Sequence, residues 1–560
     1  MRRFSKILGV AAALALALTA VPANAAFEDE QWPQPNDAQD GSHSVLVQDA
    51  LGGDLTVSML IAQRGEEQIL CSSDDDANCK GVGNYGFVEL LPACVTEADL
   101  DCIETLTAVD SAGASSSGKF NEYAYSKHPN MFTGNGVQTI KNPASPSVWT
   151  LDKAPHAFGA QYALAVSLRG GYGQGNTQTP ELNMNLYAVT YSQGIGEADD
   201  SNGIPNFFKC NQAKDKDTGK FSLRCGMGAE EFGQYKCALK VQKNGACLMQ
   251  HAFPEGYRFG VALRLSNEPT GWFHGRMKDP NISVAKLTGT SVKVSVEAAP
   301  TKVPVLYQEA KYSAMSAELK AYWDACLKNR TCPSGTRNPR VDPNTEPDGN
   351  IRNVIHDPKS YGETAINAVN FFGQYAKDTA AAVPGLWSMR TLSNGEMGGA
   401  NQCFKTGAGV KGIVTTNATA YSEGPPEFVN GMLNYKVAGL HYAADGQTLN
   451  EGVYNMIIKS TVARCIYGFS NAPISASIAV TSASGEAKVA TTTVSEKDGW
   501  MKLAAYGFTY SSPTISVKLT QAGSAPAKKT TITCVSTKNK KLTKKVTAVG
   551  PKCPAGYKKK

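Results

Sequence analysis

The chain has 560 residues, 42% of them hydrophobic and 19% charged, and a formal net charge of +6. That length implies more than one domain. The charge is unevenly placed, because Arg2, Arg3 and Lys6 supply three positive charges and the last 33 residues supply eleven lysines with no acid, leaving residues 26–527 at −8. An acidic body with a basic tail argues against a nucleic-acid-binding protein built on a cationic body.

In chain order, the first feature is a basic start followed by an apolar run from Ile7 to Leu18 and the small-residue site Ala23-Asn24-Ala25. This pattern is that of a secretory signal peptide over residues 1–25, with the mature chain starting at Ala26. The run is shorter than the roughly 20 residues that span a bilayer. No later stretch approaches that length, so the mature chain is expected to have no transmembrane span and to work outside the cytoplasm, secreted or at the cell surface.

Cysteine usage fits export. The fourteen cysteines fall into even local groups: Cys71 and Cys79, Cys94 and Cys102, Cys210, Cys225, Cys237 and Cys247, Cys326 and Cys332, Cys403 and Cys465, Cys534 and Cys553. Even groups suit a disulfide framework. Zinc sites favour C-x2-C pairs, and none is present. The group of four leaves three connectivities open.

The fold expected is mainly β. Residues 26–298 read as a β-rich, disulfide-containing domain, with strands at Ser44 to Ala50, Asp54 to Ala62, Gln161 to Arg169, Leu182 to Tyr191, Tyr257 to Leu265 and Ser291 to Ala298. In Tyr257 to Leu265 the apolar residues alternate at strand period. Pro300 and Pro304 mark an expected linker at 299–306. A helical and loop region follows at 307–395, with helices expected over Ala314 to Lys328 and from Glu363 to Ala382 before Pro384-Gly385. Residues 396–522 then carry seven strand patterns from Gly412 to Leu519, which suggest an immunoglobulin-like β-sandwich clamped by Cys403 and Cys465. A disulfide closing a loop of about 60 residues is worth around 4 kcal/mol on the chain-entropy model. A second linker is read at 523–527.

The tail at 528–560 is too short to bury a core unaided. Cys534–Cys553 supplies a staple, closing a hairpin with its turn near Lys538-Asn539-Lys540. The stretches Thr531-Ile-Thr-Cys534, Lys544-Lys-Val-Thr547 and Pro551-Lys-Cys-Pro-Ala-Gly-Tyr-Lys-Lys-Lys560 resemble a C-terminal module of actinobacterial secreted proteins. Cys465-Ile-Tyr-Gly-Phe469 and Ser495-Glu-Lys-Asp-Gly-Trp-Met-Lys-Leu-Ala-Ala505 are similar to the β domain that often precedes it. The resemblance covers the last third of the chain at most, and implies a cell-surface location rather than a chemistry.

No catalytic or cofactor-binding residue is assigned. Gly113-Ala-Ser-Ser-Ser-Gly118-Lys119 has the spacing of a phosphate loop, but Phe120 stands where a Mg²⁺-binding Ser or Thr is required, so it reads as a flexible loop. Weak Ca²⁺ candidates are Asp74, Asp75 and Asp76, with Asp199 and Asp200, and more weakly Asp215 and Asp217; none matches the twelve-residue Ca²⁺ loop. The seven histidines form no metal motif. His274, within Gly271-Trp-Phe-His-Gly-Arg276, is the one set among aromatic and charged residues, and is expected as a hydrogen-bonded histidine beside a strand end. The lysines of the tail, Lys528, Lys529, Lys538, Lys540, Lys541, Lys544, Lys545, Lys552, Lys558, Lys559 and Lys560, are the strongest functional signal, an attraction to polyanions that salt weakens.

The expectation is therefore a non-enzymatic envelope protein held to anionic cell-wall polymers by its tail. The alternative is an extracellular glycan-binding protein or glycan-active hydrolase, with its site in the first domain and exposed aromatics beside carboxylates in a cleft.

Overall fold

The computed structural model describes residues 42–560 apart from 50–56, 66, 74–75, 78, 125–131, 134–139, 141–143, 174–175, 178–179, 193–209, 215–220, 226–236, 241–246, 329–335, 338–353, 357–358, 472–473, 482–490, 511–512, 522–529 and 549–550. The signal peptide, the linker 523–527, Asp74, Asp75, Asp199, Asp200, Asp215, Asp217, Cys332, Lys528 and Lys529 lie outside the described residues, as do the side chains of Cys210, Cys225, Cys237, Cys247 and Cys326.

The protein is mainly β, and one long sheet runs through it. In order across the sheet come Glu67–Cys71, Met59–Arg64, Asn84–Leu90, Gln161–Gly173, Glu181–Ser192, Gly385–Thr391, Gly271–Arg276, Val410–Thr416, Gly452–Lys459, Trp500–Phe508 and Thr491–Lys497. All these neighbours are antiparallel except Gly271–Arg276 with Val410–Thr416, which are parallel. Each end strand has a single ladder partner among the described residues.

A second sheet, Lys278–Lys286, Val292–Ala299, Arg258–Leu265, Cys102–Val109 and Ser115–Ser117, covers one face of the central sheet. Its alternating Phe259, Val261, Leu263, Val292, Val294 and Val296 meet Leu164, Val166, Leu182, Met184, Leu186, Trp387 and Met389 in the largest core. The other face, toward the C-terminal end, is covered by Met432–Ala438, Thr514–Gln521 and Ile474–Thr481. There Leu433, Tyr435, Val437, Ile515 and Val517 meet Val414, Tyr454, Met456, Met501 and Leu503. Adjacent residues of one strand thus enter different cores: Ile413 and Ile457 one, Val414, Met456 and Ile458 the other. Strands buried on both faces read as continuous apolar runs. Gly412 marks a close approach, since a Cβ there would lie 2.4 Å from the Ile457 carbonyl oxygen and 2.4 Å from the Trp272 ring.

A helical layer packs on one edge. Helices Ala317–Lys328 and Glu363–Phe372 place Leu319, Trp323, Ile366, Val369 and Phe372 against Val45 and Val47 of Ser42–Val47 and Leu306 of Leu306–Lys311.

Several expectations are corrected. The linker read at 299–306 is woven into the sheets: Thr301–Lys302 pairs with Leu386 and Gly385, and Val303, Val305 and Leu306 are buried. Valines between prolines have the composition of a linker and the burial of a strand. The two flanking regions are joined by the parallel pair rather than separated. The seven longer strands from Val410 to Gln521 do form two facing sheets, but in the orders first-third-sixth-fifth and second-seventh-fourth. The immunoglobulin order instead groups first, second, fifth and fourth. The strand expected to run to Tyr467 ends at Lys459, where helix Ser460–Tyr467 brings Cys465 to Cys403 and stops at the left-handed Gly468. The helix expected to reach Ala382 stops at Phe372, and the left-handed Lys377 and Asp378 turn the chain beyond it. Ser115–Ser117 pairs with Cys102–Val109 and Lys119 begins the strand Lys119–Tyr123, so the Gly113 to Lys119 segment is no free loop.

Four disulfides stand among the described residues, Cys71–Cys79, Cys94–Cys102, Cys403–Cys465 and Cys534–Cys553. The backbone of Cys210 lies opposite that of Cys225 in a two-stranded ladder. Among the described residues no helix is long and apolar enough to cross a membrane.

Candidate functional site

Two places carry chemistry. The first lies on the central sheet, on the face away from the largest core. Alternation turns Leu182, Met184, Leu186, Trp387, Met389 and Phe273 into that core, so Asn183, Asn185, Ser388, Arg390, His274 and Arg276 share the opposite face. Register sets them in two rows, Ser167–Asn183–Arg390–His274 and Ala165–Asn185–Ser388–Arg276. A polar band therefore crosses the middle of an otherwise apolar sheet.

At its closed end His274, Arg276 and Tyr421 are all but fully buried, at 4%, 2% and 3% exposure. The Tyr421 ring stacks on His274 with centroids 3.8 Å apart and planes 2° from parallel. The Arg276 guanidinium lies 4.5 Å from the centre of the same ring. Its Nε donates to Asp49 Oδ2 at 2.5 Å, and its Nη1 donates to the carbonyls of Thr416 at 2.9 Å and Ala418 at 2.7 Å. Ser360 Oγ donates to the other Asp49 oxygen. Burial opposes a charged guanidinium, but the Asp49 carboxylate outweighs it and Arg276 holds its proton more tightly than usual. Burial, then the charges of Arg276 and Arg390, hold the His274 pKa well below the ordinary value, so the ring is neutral. Its Nε2, the Arg276 Nη2 and the hydroxyls of Tyr435 and Tyr454 have no hydrogen-bond partner among the described residues.

At its open end Arg390 grips Glu396 with two bonds of 2.8 and 2.6 Å. Burial would raise the Glu396 carboxyl, but Arg390 and Ser393 outweigh it and keep it below the usual range. Arg390 also lies 4.7 Å from the centre of the Tyr361 ring, with Lys359 5.2 Å from it. The chain around Tyr361 is fixed by backbone bonds between Tyr421 and both Ser360 and Gly362. Glu181, half-buried two residues before Asn183, has a carboxyl raised by burial.

The second place is the C-terminal sheet, in the order Thr543–Ala548, Thr530–Ser536 and Tyr557–Lys559. Cys534–Cys553 ties it. Cys534 and Ser536 are buried, and Lys538, Lys540, Lys541, Lys544, Lys545, Lys552, Lys558, Lys559 and Lys560 are all exposed. Register puts Lys544 and Lys559 opposite Cys534, on one face, and Lys545 opposite Thr533 and Lys558 opposite Val535, on the other. Lys544 Nζ lies 5.0 Å from the centre of the Tyr557 ring. None of these lysines forms an ion pair with an acid among the described residues. The hairpin turn falls where expected, with Asn539 Oδ1 accepting from the Lys541 amide at 3.0 Å.

Of the other candidates, Asp76 is occupied: its Oδ2 accepts from the amide and hydroxyl of Ser72, both at 3.1 Å. No group of three potential metal ligands occurs among the described residues. His274 lies within the strand Gly271–Arg276 rather than beside its end, and holds a ring stack in place of the hydrogen bond expected. Arg390, Glu396, Tyr421 and Asp49 were not singled out in the sequence. The available signal was Trp387-Ser-Met-Arg390, where Ser and Arg alternate with core residues.

No protein-family model matches the chain, and no curated protein matches it significantly. No relative's activity therefore transfers to it.

Proposed function

We propose that the protein is an exported, non-enzymatic envelope protein held at the cell surface by anionic wall polymers that bind its C-terminal sheet. The observation that carries this reading is nine exposed lysines, none neutralised by a described acid, in and around a disulfide-tied sheet, four of them on its two faces. Export is supported by the apolar N-terminal pattern and by the four disulfides, which persist in oxidising surroundings. The body at −8 is repelled by an anionic wall, so attachment rests on the tail. Near an anionic surface each lysine contributes up to ~1 kcal/mol, by analogy with polybasic segments at membranes. Attachment therefore weakens steeply with salt, as the Debye length falls from about 10 Å at 0.1 M to about 3 Å at 1 M.

A cell-wall pull-down tests this. The chain from Ala26 is compared with a version ending at Ala527, at low and at high salt. The expected result is retention of the longer chain at low salt only. Equal retention of both at low salt would show that the body, and not the tail, finds the partner.

A further inference from the structure

We propose that the open end of the polar band on the central sheet is a binding site for a small, neutral, hydroxyl-rich ligand, a saccharide unit, separate from the lysine sheet. Glu181, Asn183, Asn185 and Ser388 are half-buried on one sheet face, and their side chains make no hydrogen bond to a described protein atom. Half-buried polar groups without a partner in the chain are free to bond water or a ligand that displaces it. Two amides, a hydroxyl and a carboxyl offer donors and acceptors together, which is what a polyol presents in return.

The neighbouring strand places Ala165 and Ser167 beside Asn185 and Asn183, both buried, with Ala165 packed against Leu90 and Ala144, so they close one side of the patch. The Ser167 hydroxyl is buried without a partner among the described residues. The four polar positions on two strands span roughly 5 Å across the sheet and roughly 13 Å along it, from strand spacing and rise. Such a patch engages two or three sugar rings rather than a long polymer.

Charge decides against an acidic ligand. Arg390 already spends two N–H groups on Glu396. Arg169 stands opposite Glu181 in the ladder and its charge acts on that carboxyl, so both arginines already face an acid. Burial raises the Glu181 carboxyl, whose oxygens accept from a hydroxyl.

The test uses the full chain from Ala26 and saturation-transfer NMR with a panel of glucose, galactose, mannose, arabinose and N-acetylglucosamine. At least one sugar is expected to receive saturation at about 10 mM, a range in which weak sites fill. The double variant Asn183→Ala/Asn185→Ala should bind that sugar at least about tenfold more weakly, because it removes both amides. Its folding is checked by an unchanged melting curve, and the milder Glu181→Gln serves if the double variant melts early. The version ending at Ala527 should bind the sugar as the full chain does. Saturation of none of the five sugars, or binding untouched by both sets of substitutions, overturns the site whatever the fate of the tail. Sugar binding lost only with the tail would move it to the lysine sheet.

Discussion

The strands Val410–Thr416 and Thr530–Ser536 are of equal length and are stabilised in opposite ways. Every residue of the first is buried, with Ile413 in one core and Val414 in another. In the second, Cys534 and Ser536 are the buried side chains, and lysines flank Cys534 across both ladders. Burial of apolar area stabilises the first, at roughly 25 cal/mol per Å². A small exposed sheet cannot draw on that and depends on its cross-link. A substitution in the first strand meets packed neighbours on both faces, whereas a changed charge on the lysines beside the second meets solvent. Each region can be perturbed without the other, and that independence is open to experiment.

The largest effect is expected in the body. Asp49→Ala strands the Arg276 guanidinium, which is 3% exposed, without its counter-ion. Breaking a buried pair from one side costs about 3–5 kcal/mol. Denaturant unfolding of the full chain should show that loss, and replacing both residues together (Asp49→Leu with Arg276→Met) should recover much of it. Binding of the folded variant to wall polymers should not change. A variant as stable as the parent would mean that the site hydrates Arg276 freely.

Reducing Cys534–Cys553 comes next. Its loop closes over a separation of 19 residues, worth about 3 kcal/mol on the chain-entropy model. The comparison uses Cys534→Ser/Cys553→Ser in the full chain, with amide hydrogen exchange as the readout. Protection should vanish over Thr530–Ser536 and persist over Val410–Thr416. Polymer binding should fall less than on removing the lysines, since the sheet presents the charge and does not create it. Loss of protection in both regions would mean that the tail props up the body.

What could be read from the sequence follows from range. Phe259, Val261, Leu263 and Leu265 alternate within one strand, and their burial is as that pattern requires. Cys71–Cys79 and Cys94–Cys102 each close over eight residues, and pairing within a local group was legible. The parallel pairing of Gly271–Arg276 with Val410–Thr416 was not, because no local pattern encodes which distant strand lies beside a run buried on both faces. The polar band was hidden for the same reason. His274 drew attention by its company, while Asp49, Arg390 and Tyr421 gain meaning only when three distant segments meet.

His274 gives a smaller, pH-dependent effect. Its folded pKa lies well below the unfolded value of 6.5. The stability tied to its neutral ring is complete above pH 6.5 and is lost as pH falls from there toward the folded pKa, since only the unfolded chain takes up a proton. The slope is at most about 1.4 kcal/mol per pH unit. Glu396, lowered from 4.5, loses its own contribution at more acid pH. Unfolding between pH 5 and 6.5 therefore reads His274 together with His156, whose pKa burial also lowers, and His274→Gln should reduce the slope there without abolishing it. An unchanged slope would show that the ring protonates in place.

The smallest effects distinguish the two faces of the C-terminal sheet. Lys544 and Lys559 stand on the Cys534 face, with Lys544 over Tyr557, and Lys545 and Lys558 stand on the other. Each exposed lysine is worth up to ~1 kcal/mol at an anionic surface. A flexible polymer can follow both faces, so Lys544→Gln and Lys545→Gln should weaken retention at low salt about equally, and neither should matter at 1 M. A rigid, flat surface can meet one face at a time. In that case one substitution alone would register, and its partner on the same face, Lys559 or Lys558, would register with it. Retention measured as a salt series for the four single variants separates these cases. Four variants all indistinguishable from the parent would place the attachment on the turn lysines, Lys538, Lys540 and Lys541, and leave the sheet as their support.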